Sequence, residues 1–236
     1  MPPALLSTLY GSLAEALADT AGVSVPDWLA RPGREWPLFE PAMRLSEASP
    51  SPLLAKAVEN LSDLPEASLH NSLATWKKLL IGNGRSPMAV YESMYRNGRL
   101  LGPVMFSVKT EYQAVGLVVE GPELPDHIAV ELEFLSFLTE QEAKKGRSAR
   151  RWGQVRRRFI KNHAVHWMPA VGQQLVSTND PVWRTLGQLL EAVITLPETI
   201  PTSRLREGFP VIHETNRCSL CGFCVQVCPV RALYIG

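Results

Sequence analysis

Leu5, Leu6, Leu9, Leu13 and Leu17 recur at a spacing that gathers them on one face of a helix, with Glu15 and Asp19 on the other side. From Arg31 to Pro52 the pattern fails, because Pro32, Pro37, Pro41, Pro50 and Pro52 lack donor N–H groups and constrain their predecessors. That stretch reads as an irregular connection. Helical spacing resumes over residues 53–61 and again over 66–81, where Leu69, Leu73, Trp76 and Leu80 lie three and four apart before a Gly82-Asn83-Gly84 turn. A short helix is predicted over 87–97, with Met88, Tyr91, Met94 and Tyr95 on one side and Gly98 at its stop.

Residues 100–116 are ambiguous. Pro125-Asp126 then precedes Ile128, Leu132, Leu135 and Leu138, with Phe134 and Phe137 widening the apolar arc; Pro in a first turn with an acid beside it suits a helix start. Trp152, Val155, Phe159 and Trp167 predict one more helix. Val182, Leu186, Leu189, Leu190, Val193 and Ile194 predict the last, capped by Asp180-Pro181. Strand patterns are almost absent before residue 208. The expected fold class is therefore all-α, a helical bundle over residues 1–196. Pro197, Pro201, Ser203 and Gly208 mark a linker over 197–208, and two short β-like runs, 209–212 and 232–235, flank a small unit at 209–236.

Composition narrows the function classes. Apolar residues make up 45% and charged residues 20% of the 236, enough to bury a core and too ordinary for disorder. The 24 Lys and Arg nearly cancel the 23 Asp and Glu for a formal charge of +1, so no global field draws the chain to nucleic acid. No run approaches the ~18 apolar residues of a membrane span. The first thirty residues contain no Lys or Arg, so they lack the basic region of an export signal, and a cytoplasmic location is expected. Lys144, Lys145, Arg147, Arg150, Arg151, Arg156, Arg157 and Arg158 form a basic run, read as a solvated face with an anionic contact as the alternative. His163 and His166, three apart, read as helix-packing residues. No nucleophile triad, phosphate-binding Gly loop or dinucleotide fingerprint is found, and no catalysed reaction is expected.

The four cysteines form one constellation, Cys218-x-x-Cys221-x-x-Cys224-x-x-x-Cys228-Pro229, the spacing with which bacterial-type ferredoxins bind a [4Fe-4S] cluster. Gly222 lets backbone N–H groups approach the cluster, and no charged residue interrupts 218–230. Zinc, which also takes four thiolates, is the weaker alternative because its sites usually pair two Cys-x-x-Cys arms across a longer spacer. The stretch 209–236 resembles half of a two-cluster ferredoxin. In those proteins the fourth Cys ligates the other cluster, so a second copy of this chain or a ferredoxin-type partner is expected to complete the unit through 209–236. The alternative is one cluster held by all four Cys, or by three and a neighbour such as His213.

Residues 123–135 read Glu-Leu-Pro-Asp-His-Ile-Ala-Val-Glu-Leu-Glu-Phe-Leu. This resembles the signature of the TorD/DmsD family of cytoplasmic chaperones for molybdenum-cofactor enzymes. Residues 86–95, with Tyr-Glu-Ser at Tyr91, Glu92 and Ser93, then Tyr112 with Gly116, and 159–167 resemble further family regions in order. The resemblance implies an all-helical chaperone that binds the twin-arginine leader of an apo-molybdoenzyme. It implies a leader-binding region of Glu123, Pro125, Asp126 and His127, with Tyr91, Glu92 and Ser93 nearby. The cysteine tail departs from typical members. A second reading is an iron-sulfur electron carrier or oxidoreductase subunit whose helical domain docks a partner, and a third is a zinc-stabilised adaptor.

Overall fold

The stripe Leu6, Leu9, Leu13 and Leu17 faces inward along α1 (Pro3–Leu17), fully buried. In this computed structural model the described residues are 2–18, 26–49, 51–67, 69–81, 88–120, 123–144, 146 and 148–196. The linker, the small unit with Cys218, Cys221, Cys224 and Cys228, the 82–84 turn, Lys145 and Arg147 lie outside them. Among the described residues there are ten α-helices and no strand, only an isolated antiparallel bridge between Tyr91 and His127.

The Pro-rich stretch is more regular than expected. Two 3-10 turns, Asp27–Ala30 and Gly33–Glu35, lead into α2 (Phe39–Ala48), which buries Ala42 and Leu45. Pro41 lies in the first turn of α2, where backbone N–H groups have no intrahelical acceptor to lose. α3 (Pro52–Ser62), whose N-cap Ser51 accepts from the Leu54 N–H, and α4 (Leu69–Ile81) follow the sequence pattern.

The helix expected over 87–97 is shorter. Residues 88–91 are extended and α5 is Glu92–Asn97, because the chain there exchanges hydrogen bonds with the approach to α7: Ile128 N–H donates to the Val90 carbonyl at 2.8 Å and Glu92 N–H to the Asp126 carbonyl at 2.9 Å. Gly98 ends α5 with φ of +67°, which glycine adopts without strain. The ambiguous stretch contains α6 (Pro103–Gln113), with Pro103 in its first turn. α7 (Ile128–Ala143) begins after the Pro-Asp pair, with His127 as its cap.

α8 (Ala149–Asn162) stops before His163, so the two histidines do not share a helix; a 3-10 turn, Ala164–His166, turns the chain so that Trp167 leads α9 (Met168–Val176). Asp180 Oδ1 accepts from the N–H groups of Val182 at 2.9 Å and Trp183 at 3.4 Å and opens α10 (Pro181–Ile194), as its sequence predicts. α7 lies along α1 and under α8, while α10 is gripped by α9 and α3. One core cluster joins Tyr10 of α1 to Trp167 and Trp183, and the Trp76 and Trp183 rings stack at 4.6 Å.

Candidate functional site

The entry to α7 is where most of the residues singled out by sequence converge. His127 is fully buried, and its Nδ1 accepts the Ala129 N–H at 3.2 Å, capping the helix. That bond fixes the tautomer: with Nδ1 an acceptor, a neutral ring carries its proton on Nε2 and presents a donor there. Burial depresses the His127 pKa to about 4, so the ring is neutral near pH 7. Nε2 has no hydrogen-bond partner among the described residues, and His127 lines a cleft.

The cleft has a volume of about 600 Å³. It is lined by Ala129, Val130, Phe134 and Phe137 of α7, by the chain after α6, Leu117–Glu120, and by Tyr112 and Ala18. Glu120, Glu123 and Glu133 supply three carboxylates, and among the described residues no Lys or Arg lines the cleft. Glu123 is steadied by Tyr91, whose hydroxyl donates to Oε2 at 3.3 Å while its ring packs edge-on to His127 at 5.1 Å. Partial burial raises the Glu133 pKa above the usual carboxylate range. The Pro125 carbonyl accepts from Tyr112 Oη at 2.8 Å and fixes the turn before His127.

Beneath the cleft the remaining candidates are interior. Asp126, Glu92 and Ser93 are fully buried. Asp126 Oδ2 accepts the Ser93 N–H at 2.9 Å, so it caps α5 from another segment, beyond any effect on the helix that follows it. Glu92 bridges two side chains, with Arg96 Nη1 at 2.6 Å and His163 Nδ1 at 2.9 Å. Glu131, also fully buried, receives the Trp167 indole N–H at 3.2 Å. Burial, then the nearby Glu92 carboxylate, raises its pKa well above the ordinary value, so it favours its protonated form. Glu123 and His127 thus face the cleft, while Glu92, Ser93 and Asp126 build the scaffold beneath it.

Sequence reasoning missed Glu120, Glu131 and Glu133. Glu131 left a signal: with Ile128, Leu135 and Leu138 it shares the buried stripe of α7, where a carboxylate is out of pattern. The basic run divides. Arg150 and Arg151 are exposed, as a solvated face requires. Arg156 is instead buried and holds Glu142 of α7 at 2.7 Å, and Arg158 holds Glu111 of α6 at 2.5 Å.

Comparison with known proteins follows the same division of the chain. A family profile described as nitrate reductase delta subunit matches residues 46–172, more than half of the chain, and one described as 4Fe-4S binding domain matches residues 211–234. The chlorate reductase assembly chaperone protein of Ideonella dechloratans is 33% identical over 119 residues, 47% of this chain and 62% of the relative. The probable nitrate reductase molybdenum cofactor assembly chaperone NarW of Escherichia coli (strain K12) is 30% identical over 111 residues, 47% of this chain and 46% of the relative. The selenate reductase assembly chaperone protein of Thauera selenatis is 30% identical over 145 residues, 57% of this chain and 69% of the relative. The chain spans about half to two thirds of the length of these relatives.

Proposed function

This chain belongs to the nitrate reductase delta subunit family, and from that membership we propose that it is a chaperone of molybdoenzyme assembly. It takes up in the α7 cleft an Arg-bearing apolar segment of its apo-enzyme client, such as a twin-arginine leader, and holds it in the cytoplasm until the client is mature. The observation that carries this reading is the lining of the cleft, which among the described residues combines apolar walls, three carboxylates and one neutral imidazole with no Lys or Arg. Guanidinium groups pair with Glu120, Glu123 and Glu133, the apolar part of the segment packs on Val130, Phe134 and Phe137, and His127 Nε2–H donates to a peptide carbonyl. These are binding roles, and no bond in the client is made or broken.

The test is fluorescence anisotropy with a labelled peptide carrying two Arg followed by an apolar run. The triple change Glu120→Gln, Glu123→Gln and Glu133→Gln is expected to weaken binding roughly 10- to 100-fold through lost charge-assisted pairs. Unchanged affinity would remove the cleft from the account.

The tail adds a metal centre to this reading. Four thiol donors at the ferredoxin spacing, in a stretch free of charge, fit a [4Fe-4S] cluster, and the 211–234 match supports it. Cys218, Cys221, Cys224 and Cys228 would hold the cluster, which when bound supplies a one-electron centre for sensing, assembly or electron transfer. The same match favours the electron-carrier reading as the alternative; the longer 46–172 match favours the chaperone.

A further inference from the structure

The cleft asks for a ligand of specific character. Its walls are apolar, its charges are the carboxylates of Glu120, Glu123 and Glu133, and among the described residues none of the three has a Lys or Arg within ion-pair distance. Val118 on its rim is 71% exposed. His127, which lines it, carries a buried Nε2 donor without a hydrogen-bond partner among the described residues. A complementary ligand therefore carries cations, an apolar run and a free carbonyl. The chain contains such a stretch outside the described residues: Ser203-Arg204-Leu205-Arg206-Glu207-Gly208, followed by Phe209-Pro210-Val211-Ile212.

We propose that residues 203–212 are an internal ligand of this cleft, with Arg204 and Arg206 against the three carboxylates and 209–212 against the apolar wall. The chain thereby occupies its own peptide site until a client displaces it, a consequence that rests on the chaperone reading above. Reach permits it. Leu196 is anchored in the core, and Arg204 follows it by eight positions. At roughly 3.3–3.6 Å per residue that is about 26–29 Å of chain, against a radius of gyration of about 16 Å for a domain of this size. A tethered ligand acts at an effective concentration on the order of 1 mM. With an intrinsic Kd of about 100 µM, it raises the apparent Kd of a competing peptide about tenfold.

The test places the photo-crosslinker p-benzoylphenylalanine at Val118 of the full chain, purified without air, and maps the adducts by mass spectrometry after digestion. Adducts on residues 203–212 are expected, and their yield should fall at least about fivefold in Arg204→Ala/Arg206→Ala and in Glu120→Gln/Glu133→Gln. Adducts that never include 203–212 overturn the proposal. So does a mixture of isotopically light and heavy protein in which the adducts join different chains, which would make the occupant a second copy.

The labelled two-Arg peptide separates this proposal from the chaperone reading. Binding about tenfold tighter to Arg204→Ala/Arg206→Ala than to the unsubstituted chain supports self-occupancy. Equal binding to both overturns self-occupancy and leaves the peptide site standing. Adducts on 203–212 with no peptide binding to either protein keep self-occupancy and remove the leader from the account.

Discussion

Glu131 and His127 lie one helical turn apart and resist burial in opposite directions. His127, with its pKa lowered to about 4, is a base that the unfolded chain protonates more readily than the folded one. Its contribution to stability is present above about pH 6.5, falls as pH drops from there to about 4, and amounts to at most about 3 kcal/mol. His127→Asn keeps a capping side chain without the titration, so it is expected to flatten the pH dependence of urea unfolding between pH 6.5 and 4. Glu131 works the other way. Its folded pKa is raised, so its contribution is present below about pH 4.5 and is lost as pH rises toward the folded value. Glu131→Gln retains an acceptor for the Trp167 N–H and removes the buried acid. It is predicted to raise Tm at pH 8 and to leave Tm near pH 4.5 unchanged, measured by circular dichroism; a lower Tm at pH 8 would show that the ionised form is what the fold needs. The Asp-His pair was legible in sequence through its surrounding motif. Its division of labour was not, because the direction of Asp126, away from the cleft and toward the Ser93 N–H, depends on a contact between segments 33 residues apart.

At the scale of elements, the α9/α10 crossing is set by two glycines. A Cβ on Gly172 would lie 2.8 Å from the Gly187 carbonyl oxygen, and one on Gly187 would press on the Gly172 carbonyl oxygen. These are backbone atoms, which cannot swing aside as a side-chain end can. Gly187→Ala is therefore expected to cost about 2 kcal/mol in spite of alanine's better helix propensity. That corresponds to a Tm roughly 4–8 °C lower in a thermal melt. Asp126→Ala should cost about 1–2 kcal/mol by removing the cap of α5, and Asp126→Asn should restore most of it, as read by urea unfolding. The long helices α1 and α10 were legible because each keeps one apolar stripe over several turns, and α7 because a dense apolar run follows its Pro-Asp start. α2 was obscured by Pro41, whose first-turn position makes it harmless, and the extended 88–91 stretch by apolar spacing that a bridge to His127 overrode.

Across the whole molecule, the helical body presents three carboxylates and the side of His127 at one cleft, while all four cysteines belong to the tail. No described helix is long and apolar enough to cross a membrane. The helical class and the cysteine spacing were readable from local pattern. The cleft was not, since Glu120 and Glu133 come from different elements and only the packing of the chain after α6 against α7 brings them together. Protein purified without air is expected to carry about four irons with matching sulfide for each cysteine tail; zinc without sulfide, by elemental analysis, would convert the tail into a structural knot and leave the cleft intact.

A peptide site in the α7 cleft is read most directly from the affinity of the full chain for a labelled peptide with two Arg and an apolar run, measured by anisotropy beside the same peptide with both Arg replaced by Gln. Saturable binding is expected, weakening at least about tenfold without the two Arg and in the triple Glu→Gln variant of the cleft. Binding indifferent to both changes would contradict a peptide site built from Glu120, Glu123, Glu133 and His127.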